Sequence, residues 1–393
     1  MHKLISGGAV FGSDGTVTDG LGVMLEGDII KEIAPLATFD GYEGSIVDSS
    51  GATLLPGLVD CHVHLCFKAG ADPKSELAKL SDADIALTAL KNAENTLAGG
   101  MTAVRDCGGK DYLEFAARDA INRGEFPGPT IYAAGRMICM TGGHGNNWGR
   151  VADGPDEVIK AVREQVHRGS DLIKIMATGG VMTPGVNPED AHYSAEEMRA
   201  GIQEARRFHK RTASHAQGTE GILNAVHGGI HSIEHGIFMT DQCIEAMLES
   251  GTYLVPTLAA LQYILMGADK GIPELIVEKT KRVSEIHQQS IKAFHKAGGK
   301  IAMGTDAGTP FNRHGENAME LKFMTDLGVS PKDAILAATA GGSDLMGLSD
   351  SGVIETGKRA DLLIVEGNPL DDIMNIADRA NHRLVMKDGK IVV

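Results

Sequence analysis

The chain of 393 residues is long enough for one large α/β unit with an accessory piece. Its 52 acidic residues outnumber 37 basic ones, and the net charge of −15 argues against nucleic acid or an anionic membrane as a partner. Five dispersed cysteines do not suggest a disulfide framework, and the sequence shows neither a signal peptide nor a membrane span, so a cytoplasmic protein is expected. Composition leaves assembly into a homo-oligomer open.

The two ends of the chain share a pattern of short apolar runs separated by turn residues. In residues 1–53 the turns are often Gly-Asp pairs, as in Gly22-Val-Met-Leu-Glu-Gly-Asp28. Residues 355–393 look alike, and Lys387-Asp-Gly-Lys390 is typical of a two-residue β-hairpin. The pattern predicts one small β-sandwich domain that both termini build together.

The middle of the chain, residues 54–354, alternates apolar runs with helical stretches. We expect eight strands, at residues 54–63, 101–106, 130–135, 171–176, 211–215, 231–235, 252–257 and 300–305. The intervening helices are expected at 82–98, 156–168, 195–209, 219–227, 241–249 and 276–297, followed by one at 331–347. This alternation predicts an α/β fold, a (β/α)₈ TIM barrel, whose chemistry lies at the carboxyl ends of the strands.

The first expected barrel strand ends in two histidines. His62 and His64 are two residues apart and therefore leave the same face of a strand. Two neutral imidazoles that converge on one point suit a metal ion. A His-x-His pair alone is equally compatible with polar residues near a turn, so the other strands must decide.

Four more polar side chains lie on later strands: Lys174 within the fourth, His215 and His235 at the ends of the fifth and sixth, and Asp306 at the end of the eighth. Each has an ordinary explanation when taken singly, as a surface lysine, a core histidine or a capping aspartate. Their joint occurrence at one end of a barrel favours a metal centre.

Lys174 requires a chemical explanation because it lies between two isoleucines. A buried, unpaired ammonium is costly, so we expect a neutral amine that reacts with CO₂ to form an anionic carbamate. The alternative is a structural lysine buried beside a carboxylate.

This set of motifs resembles the metal-dependent amidohydrolase superfamily, and in particular its imidazolonepropionase-related branch with Xaa-Pro dipeptidase (prolidase)-like and carboxypeptidase-like members. Further stretches similar to that branch are Thr102-Ala-Val-Arg-Asp106, Thr141-Gly-Gly-His144 and Lys174-Ile-Met-Ala-Thr-Gly-Gly180. The resemblance covers essentially the whole chain. It implies two divalent metal ions, expected to be Zn²⁺, and a CO₂-derived carbamate.

The resemblance also implies a role for each ligand. A buried ion would take His62, His64 and Asp306, a more exposed ion would take His215 and His235, and the Lys174 carbamate would bridge the two. Asp306 would accept a proton from metal-activated water and pass it to the leaving nitrogen.

Two further residues are candidate donors to the developing oxyanion. His144 lies in a Gly-rich loop after the third strand, and Tyr193 precedes a helix that opens with Ser194-Ala-Glu-Glu197. The alternatives are a flexible loop histidine and a packing tyrosine. Helical histidines among Lys, Arg and Gln, such as His287, are expected on solvated faces.

The resulting hypothesis is a binuclear amidohydrolase that cleaves the amide bond of a dipeptide, Xaa-Pro or another, or of an N-acyl amino acid. A cyclic-amide hydrolase of the imidazolonepropionase type is the alternative, but those enzymes usually use one metal and lack the lysine at position 174. A catalytically inactive scaffold is more remote, because all six ligand positions are filled. Arg150 and Arg313 could receive a substrate carboxylate, although a surface salt bridge is the default for each.

Overall fold

The computed structural model describes residues 2–393, so Met1 of the expected terminal domain lies outside the described residues. The strands are β1 His2–Ser6, β2 Ala9–Phe11, β3 Val17–Thr18, β4 Leu21–Glu26, β5 Ile29–Pro35, β6 Ser45–Asp48, β7 Ala52–Pro56, β8 Leu58–Val63, β9 Met101–Asp106, β10 Thr130–Ala133, β11 Ile138–Cys139, β12 Arg150–Val151, β13 Leu172–Met176, β14 Arg211–Ala216, β15 Ser232–His235, β16 Tyr253–Val255, β17 Leu362–Glu366, β18 His382–Lys387 and β19 Lys390–Ile391.

The helices alternate with the strands of the middle region. They are α1 Pro73–Leu77, α2 Asp82–Ala98, α3 Glu114–Asn122, α4 Pro155–Arg168, α5 Ala195–Arg207, α6 Thr219–Gly228, α7 Asp241–Ser250, α8 Leu258–Met266, α9 Glu274–Lys296, α10 Met319–Asp326, α11 Pro331–Ala337, α12 Ala340–Met346 and α13 Met374–Ala377. No helix within residues 2–393 has both the length and the apolar character needed to cross a membrane.

The strands of the middle region form two parallel sheets. One has the order β10-β9-β8, and the other has the order β12-β11-β13-β14-β15-β16. In the second sheet Met176 is aligned with His215, and Ala216 is aligned with His235. The carboxyl ends of these strands therefore meet at one edge, where the expected ligands lie.

Seven of the eight expected strands are present, and the first is divided. β7 belongs to a terminal sheet and β8 to a parallel sheet, with Gly57 between them. A Cβ on Gly57 would lie 2.3 Å from the Thr102 side chain, so the close approach of β8 to β9 requires glycine at this junction.

The eighth strand, expected over 300–305, is an irregular segment held between two strands. On one side Cys61 N–H donates to Met303 O at 2.8 Å, and on the other Thr257 N–H donates to Gly304 O at 3.1 Å. A Cβ on Gly304 would meet Val255 at 2.3 Å, so the segment is squeezed between β8 and β16. The segment pairs with its neighbours only through isolated β-bridges, among them the bridge between Leu254 and Ile301.

The expected helices are present to within about two residues of their ends, except that 331–347 divides into α11 and α12. Two of their starts are marked by capping boxes, Ser81 with Asp84 on α2 and Ser194 with Glu197 on α5. α4 ends at Gly169 in the left-handed conformation with φ of 93°.

Of the two remaining sheets, residues 2–48 alone build the four-stranded one, and both ends of the chain build the six-stranded one. A four-stranded sheet has the order β5-β4-β1-β6, and a six-stranded sheet has the order β19-β18-β17-β7-β2-β3. The predicted hairpin is confirmed, since β18 pairs antiparallel with β19 and both turn residues, Asp388 and Gly389, have positive φ of 50° and 70°.

Candidate metal centre

A cavity lies at the carboxyl ends of the parallel strands. All six residues expected to bind metal line it: His62, His64, Lys174, His215, His235 and Asp306. Neighbouring imidazoles are close, with ring centroids 5.2 Å apart for His62 and His235 and 4.6 Å apart for His215 and His235. The fold therefore gathers side chains from five separate segments onto one cavity floor.

Asp306 faces both histidines of the first strand. Its Oδ1 lies 3.2 Å from His64 Nε2 and 3.5 Å from His62 Nε2. The backbone of Asp306 holds a positive φ of 60° while its N–H donates to His62 O at 2.7 Å. A non-glycine residue in this conformation is strained by about 1–3 kcal/mol, and such strain is found where a side chain must be aimed at a site.

In both histidines of the first strand, the Nδ1 atom is hydrogen bonded to a partner outside the cavity. His62 Nδ1 is hydrogen bonded to Glu234 Oε2 at 2.7 Å, and His64 Nδ1 to Gly108 O at 2.8 Å. These partners select the tautomer that leaves Nε2 of each ring, the nitrogen facing Asp306, as a ligand lone pair.

The other two histidines are oriented in the same manner but through different atoms. His235 Nδ1 is hydrogen bonded to Thr257 Oγ1 at 2.7 Å, whereas His215 uses Nε2 to reach Gly179 O at 2.8 Å. His235 therefore keeps Nε2 for a ligand and His215 keeps Nδ1. Four rings that each have one fixed nitrogen and one remaining nitrogen are the arrangement expected of imidazole ligands.

Lys174 lies on β13 with 2% of its surface exposed. Its Nζ is buried and has no hydrogen-bond partner among residues 2–393. An amine in this state is costly as an ammonium, and a carbamate would give it an anionic group able to meet metal ions. The structural alternative, a lysine paired with a carboxylate, is not what the geometry shows.

The electrostatic environment favours the neutral form of three of the four imidazoles on the cavity floor. Burial, followed by the nearby positive charges of other site residues, lowers the pKa of His62, His215 and His235 well below the usual value. Burial also lowers the pKa of His64, but hydrogen bonding to Asp306 reverses the sign, and the pKa of His64 is raised. Neutral rings are the form in which histidine binds metal.

The donor set fits divalent metal ions. Ligand atoms of His62, His235 and Asp306 lie within 4.8 Å of one another, which forms a buried three-residue group able to hold an ion. Imidazole nitrogen and carboxylate oxygen are ligands that zinc accepts. A second group, His62 with Cys107 and Glu234, meets the same distance criterion, but its Glu234 carboxylate is already bound by Arg105, Ser232 and His62.

His144 also lines the cavity, and its ring stacks on His215 with centroids 4.4 Å apart. Its Nδ1 is hydrogen bonded to Thr183 Oγ1 at 2.8 Å, so Nε2 remains for a ligand. Burial, with the positive charges of His192 and Lys74, lowers the pKa of His144 to about 3. A neutral ring with a remaining Nε2–H can donate a hydrogen bond to a substrate oxygen.

Tyr193 does not fit the role of oxyanion donor. Its side chain is 1% exposed and packs in the core, and its hydroxyl donates to Ala152 O at 2.7 Å. It is not among the residues that line the cavity. The alternative of a packing tyrosine at a helix start is therefore the one that the structure supports, because the phenol is committed to the backbone after β12.

Three supporting residues were not predicted from the sequence. Arg105 is buried and donates to Glu234 Oε1 at 2.7 Å, and Glu234 is in turn hydrogen bonded to His62. A series of charged and hydrogen-bonded side chains therefore lies beneath the cavity floor. His287, expected on a solvated face, is 1% exposed and donates from Nε2 to His235 O at 2.9 Å. The sequence pattern could have predicted that His287 is buried, because the buried positions of α9 follow helical spacing: 280, 283, 284, 287, 290, 291 and 294.

The wall of the cavity differs from its floor. It is formed by apolar side chains: Phe67, Met137, Trp148, Met176, Val181, Met182, Ala260, Leu261 and Ile264. Arg150, for which a salt bridge is the default expectation, does not line the cavity, and its guanidinium is paired with Glu164. Arg313 does not line the cavity either.

Comparison with known proteins agrees with this geometry. The Amidohydrolase family profile matches residues 53–392. Ochratoxinase from Aspergillus niger is 31% identical over 380 residues, covering 86% of this chain and 75% of that enzyme.

Solved structures are similar over the whole chain. A Xaa-Pro dipeptidase with methionine bound in its active site superposes with a TM-score of 0.92 at 33% identity, covering 100% of this chain and 99% of that one. A prolidase complexed with N-methylphosphonate-L-proline gives 0.91 at 29% identity with the same coverage. The chain belongs to the amidohydrolase family and is a hydrolase acting on carbon–nitrogen bonds.

Proposed function

We propose that this protein is a binuclear metal-dependent amidohydrolase that cleaves the amide bond of a dipeptide or an N-acyl amino acid. The observation that carries the proposal is the cavity floor, where four imidazoles each have one nitrogen fixed and one remaining. Beside them lies the buried Lys174 Nζ, which has no hydrogen-bond partner within the described part of the chain. A site with a single ion would have no evident use for that lysine.

The proposed ligand assignment is the one that the family resemblance implies, and the hydrogen bonds of the site leave one nitrogen of each ring for it. His62, His64 and Asp306 would hold one ion, His215 and His235 the other, and a carbamate on Lys174 would contact both. Bound Zn²⁺ would supply the Lewis acidity that deprotonates water and polarises the scissile carbonyl. Ligand atoms of His235 lie within 4.8 Å of those of His62 and Asp306, which supports a pair of neighbouring ions.

The protein's own residues would perform the proton transfers. Asp306 Oδ1 faces the cavity between the two histidines and would accept the proton of the attacking water, then pass it to the leaving nitrogen. His144 would donate from Nε2 to the oxygen on which negative charge develops. Its low pKa keeps the ring neutral, so it would act as a hydrogen-bond donor and not as a proton source.

We also propose the larger architecture that holds this site. Residues 54–354 would form a closed (β/α)₈ barrel, with residues 300–305 as its irregular eighth strand between β8 and β16, except that residues 54–56 pair in the terminal sheet as part of β7. Residues 1–53 and 355–393 would form a composite β-sandwich domain. The hydrogen bonds that residues 303 and 304 make to both neighbours support closure of the barrel.

The choice of substrate rests on the structural relatives. A dipeptidase holding methionine and a prolidase holding a phosphonate analogue of a proline derivative both have amino-acid groups at their sites. The cyclic-amide alternative of the imidazolonepropionase type is disfavoured because Lys174 is buried at the floor in a position to bridge two ions.

The test is purification with supplied zinc and bicarbonate, followed by metal analysis and a screen of dipeptides and N-acyl amino acids that vary the C-terminal residue. We expect about two zinc ions per chain and release of a free amino acid. Zinc-loaded protein that hydrolyses only cyclic amides would favour the alternative, and protein that binds no zinc would refute the proposal.

A further inference from the structure

The apolar wall of the cavity offers no partner for the negative charge of the proposed substrate. A dipeptide or N-acyl amino acid carries a carboxylate, and desolvating it without a cationic partner is costly. The one lysine among the lining residues is Lys174, which the proposed metal chemistry already uses. A further cationic partner for the carboxylate would therefore lie at the rim of the cavity.

Most cations near the site are already bound by other groups. Lys279, whose charge is felt by His144, donates to Thr183 O at 2.8 Å and to Val186 O at 2.6 Å. Arg150 is paired with Glu164. Neither has a geometry that leaves its charge for a ligand.

Lys74 is different. It lies on α1, and its Nζ stands 5.6 Å from the centroid of the Trp148 ring. Within residues 2–393 its ammonium makes no ion pair within 4.0 Å and no side-chain hydrogen bond, although the side chain is half-buried. The acid that acts on it, Asp72, uses its carboxylate to cap α1 by accepting from Ser75 N at 3.1 Å and Ser75 Oγ at 2.5 Å.

Trp148 links Lys74 to the cavity that contains the candidate metal ligands. One part of its surface lines the metal cavity, and another lines a neighbouring cavity together with Lys74, Lys110 and Asn147. Lys110 is partly neutralised by Asp82 at 3.2 Å, so Lys74 supplies the unpaired charge. Lys74 also lies close enough to His144 to lower the pKa of that ring, after burial and His192.

We propose that Lys74, seated over the Trp148 ring at the rim of the cavity, binds the carboxylate of the substrate and selects acidic substrates with one apolar group. This rests on the proposed function and assigns its substrate class. The apolar group would lie against Phe67, Met182 and Leu261, while the carboxylate would replace water around Lys74. Burial lowers the pKa of Lys74, and a bound carboxylate would act in the opposite direction.

The chain offers an internal probe, because Trp148 is its single tryptophan. Tryptophan emission of the zinc-loaded protein would be followed immediately after mixing with N-acetyl-L-leucine or, separately, with N-acetyl-L-leucinamide. These ligands differ only in the carboxylate. We expect the acid to bind roughly tenfold more tightly than the amide, as for one contact to a charged group, with a preference that salt weakens.

The substitution Lys74→Gln should reduce this preference to about twofold or less, and Lys74→Arg should restore most of it. Lys79→Gln is the matched control, since Lys79 is an exposed lysine just after α1. In turnover assays the Lys74→Gln change should raise KM for the acid while kcat and zinc content stay unchanged.

The outcomes separate this inference from the proposed function. An acid preference equal in wild type and Lys74→Gln would overturn the subsite, even if the enzyme hydrolyses N-acyl amino acids. A preference that depends on Lys74 in a protein that hydrolyses neither dipeptides nor N-acyl amino acids would support the subsite and refute the proposed hydrolysis.

Discussion

The floor and the wall of the cavity are built in different ways. Floor residues come from strand ends or directly follow them, and each imidazole is fixed by a named partner such as Glu234, Gly108 or Thr257. Wall residues lie mainly on loops and on α8, and they are apolar, with three methionines among them. The floor is preorganised for chemistry, whereas the wall is adaptable and sets what can bind.

The comparison predicts that floor substitutions change metal content and kcat, while wall substitutions change KM. The largest effect is expected for Lys174→Ala, which removes the proposed bridge. We expect kcat/KM to fall by about 10³-fold or more, since several kcal/mol of charge stabilisation are lost. Zinc content should fall as well, and added acetate should restore part of the activity.

Lys279→Met is the matched control for Lys174, because Lys279 is also buried but its ammonium has two carbonyl partners outside the ligand set. Acetate should not rescue any defect of this variant. Full activity of Lys174→Ala without acetate would show that the lysine is structural.

The next largest effect is expected for His144→Gln, which should lower kcat by about 10²-fold with unchanged zinc content. The pKa of His144 is lowered to about 3, so the ring is protonated only below that pH and is neutral from pH 5 to 9. The pH dependence of kcat should therefore keep its shape in the variant. Loss of the acidic limb would show that His144 acts as a proton donor.

Gly180→Ala gives a graded version of the same test. A Cβ at Gly180 would lie 2.8–3.0 Å from three atoms of the His144 ring and would push it from its place. We expect a smaller fall in kcat than for His144→Gln, with the same zinc content.

A smaller effect is expected beneath the floor. Glu234→Gln places an amide where His62 Nδ1–H finds a carboxylate, which weakens both the tautomer preference and the basicity of His62. We expect zinc affinity to fall by about 10–100-fold, measured by competition with a chelator. Ser232→Ala is the control, since it removes another hydrogen bond to the same carboxylate without touching His62. Equal zinc affinity in Glu234→Gln and wild type would refute the positioning role.

The smallest effect is expected at the wall. Met182→Ala should raise KM by about tenfold or less through lost apolar contact, with kcat and zinc content unchanged. Met266→Ala is its control, because Met266 is 61% exposed at the end of α8 and does not line the cavity. A loss of zinc in Met182→Ala would remove the distinction between wall and floor.

Much of the floor could be predicted from local sequence patterns. The strand period of two residues placed His62 and His64 on one face, and the alternation of strands and helices placed His215, His235 and Asp306 at a common edge. These are properties of single elements and of their order along the chain. The parallel sheets and the neighbouring positions of these residues agree with that expectation.

Other features depended on how elements pack. Tyr193 precedes a capping box as expected, yet its hydroxyl direction was decided by Ala152 on a neighbouring segment. The segment expected as the eighth strand is irregular, and within it Gly304 fits closely between Val255 and His62. Neither contact is encoded within one element.

The sequence by itself determined which residues could bind metal, because ligand chemistry and strand period are local properties. Only the tertiary structure decided which nitrogen of each imidazole remains for a ligand, since that depends on partners distant in sequence, as Glu234 is from His62. It also decided that Lys174 Nζ is buried with no hydrogen-bond partner among the residues that the structure describes, and that Lys74 lies over the Trp148 ring. Burial and pairing are relations between segments, so their energies arise only when the segments are packed together.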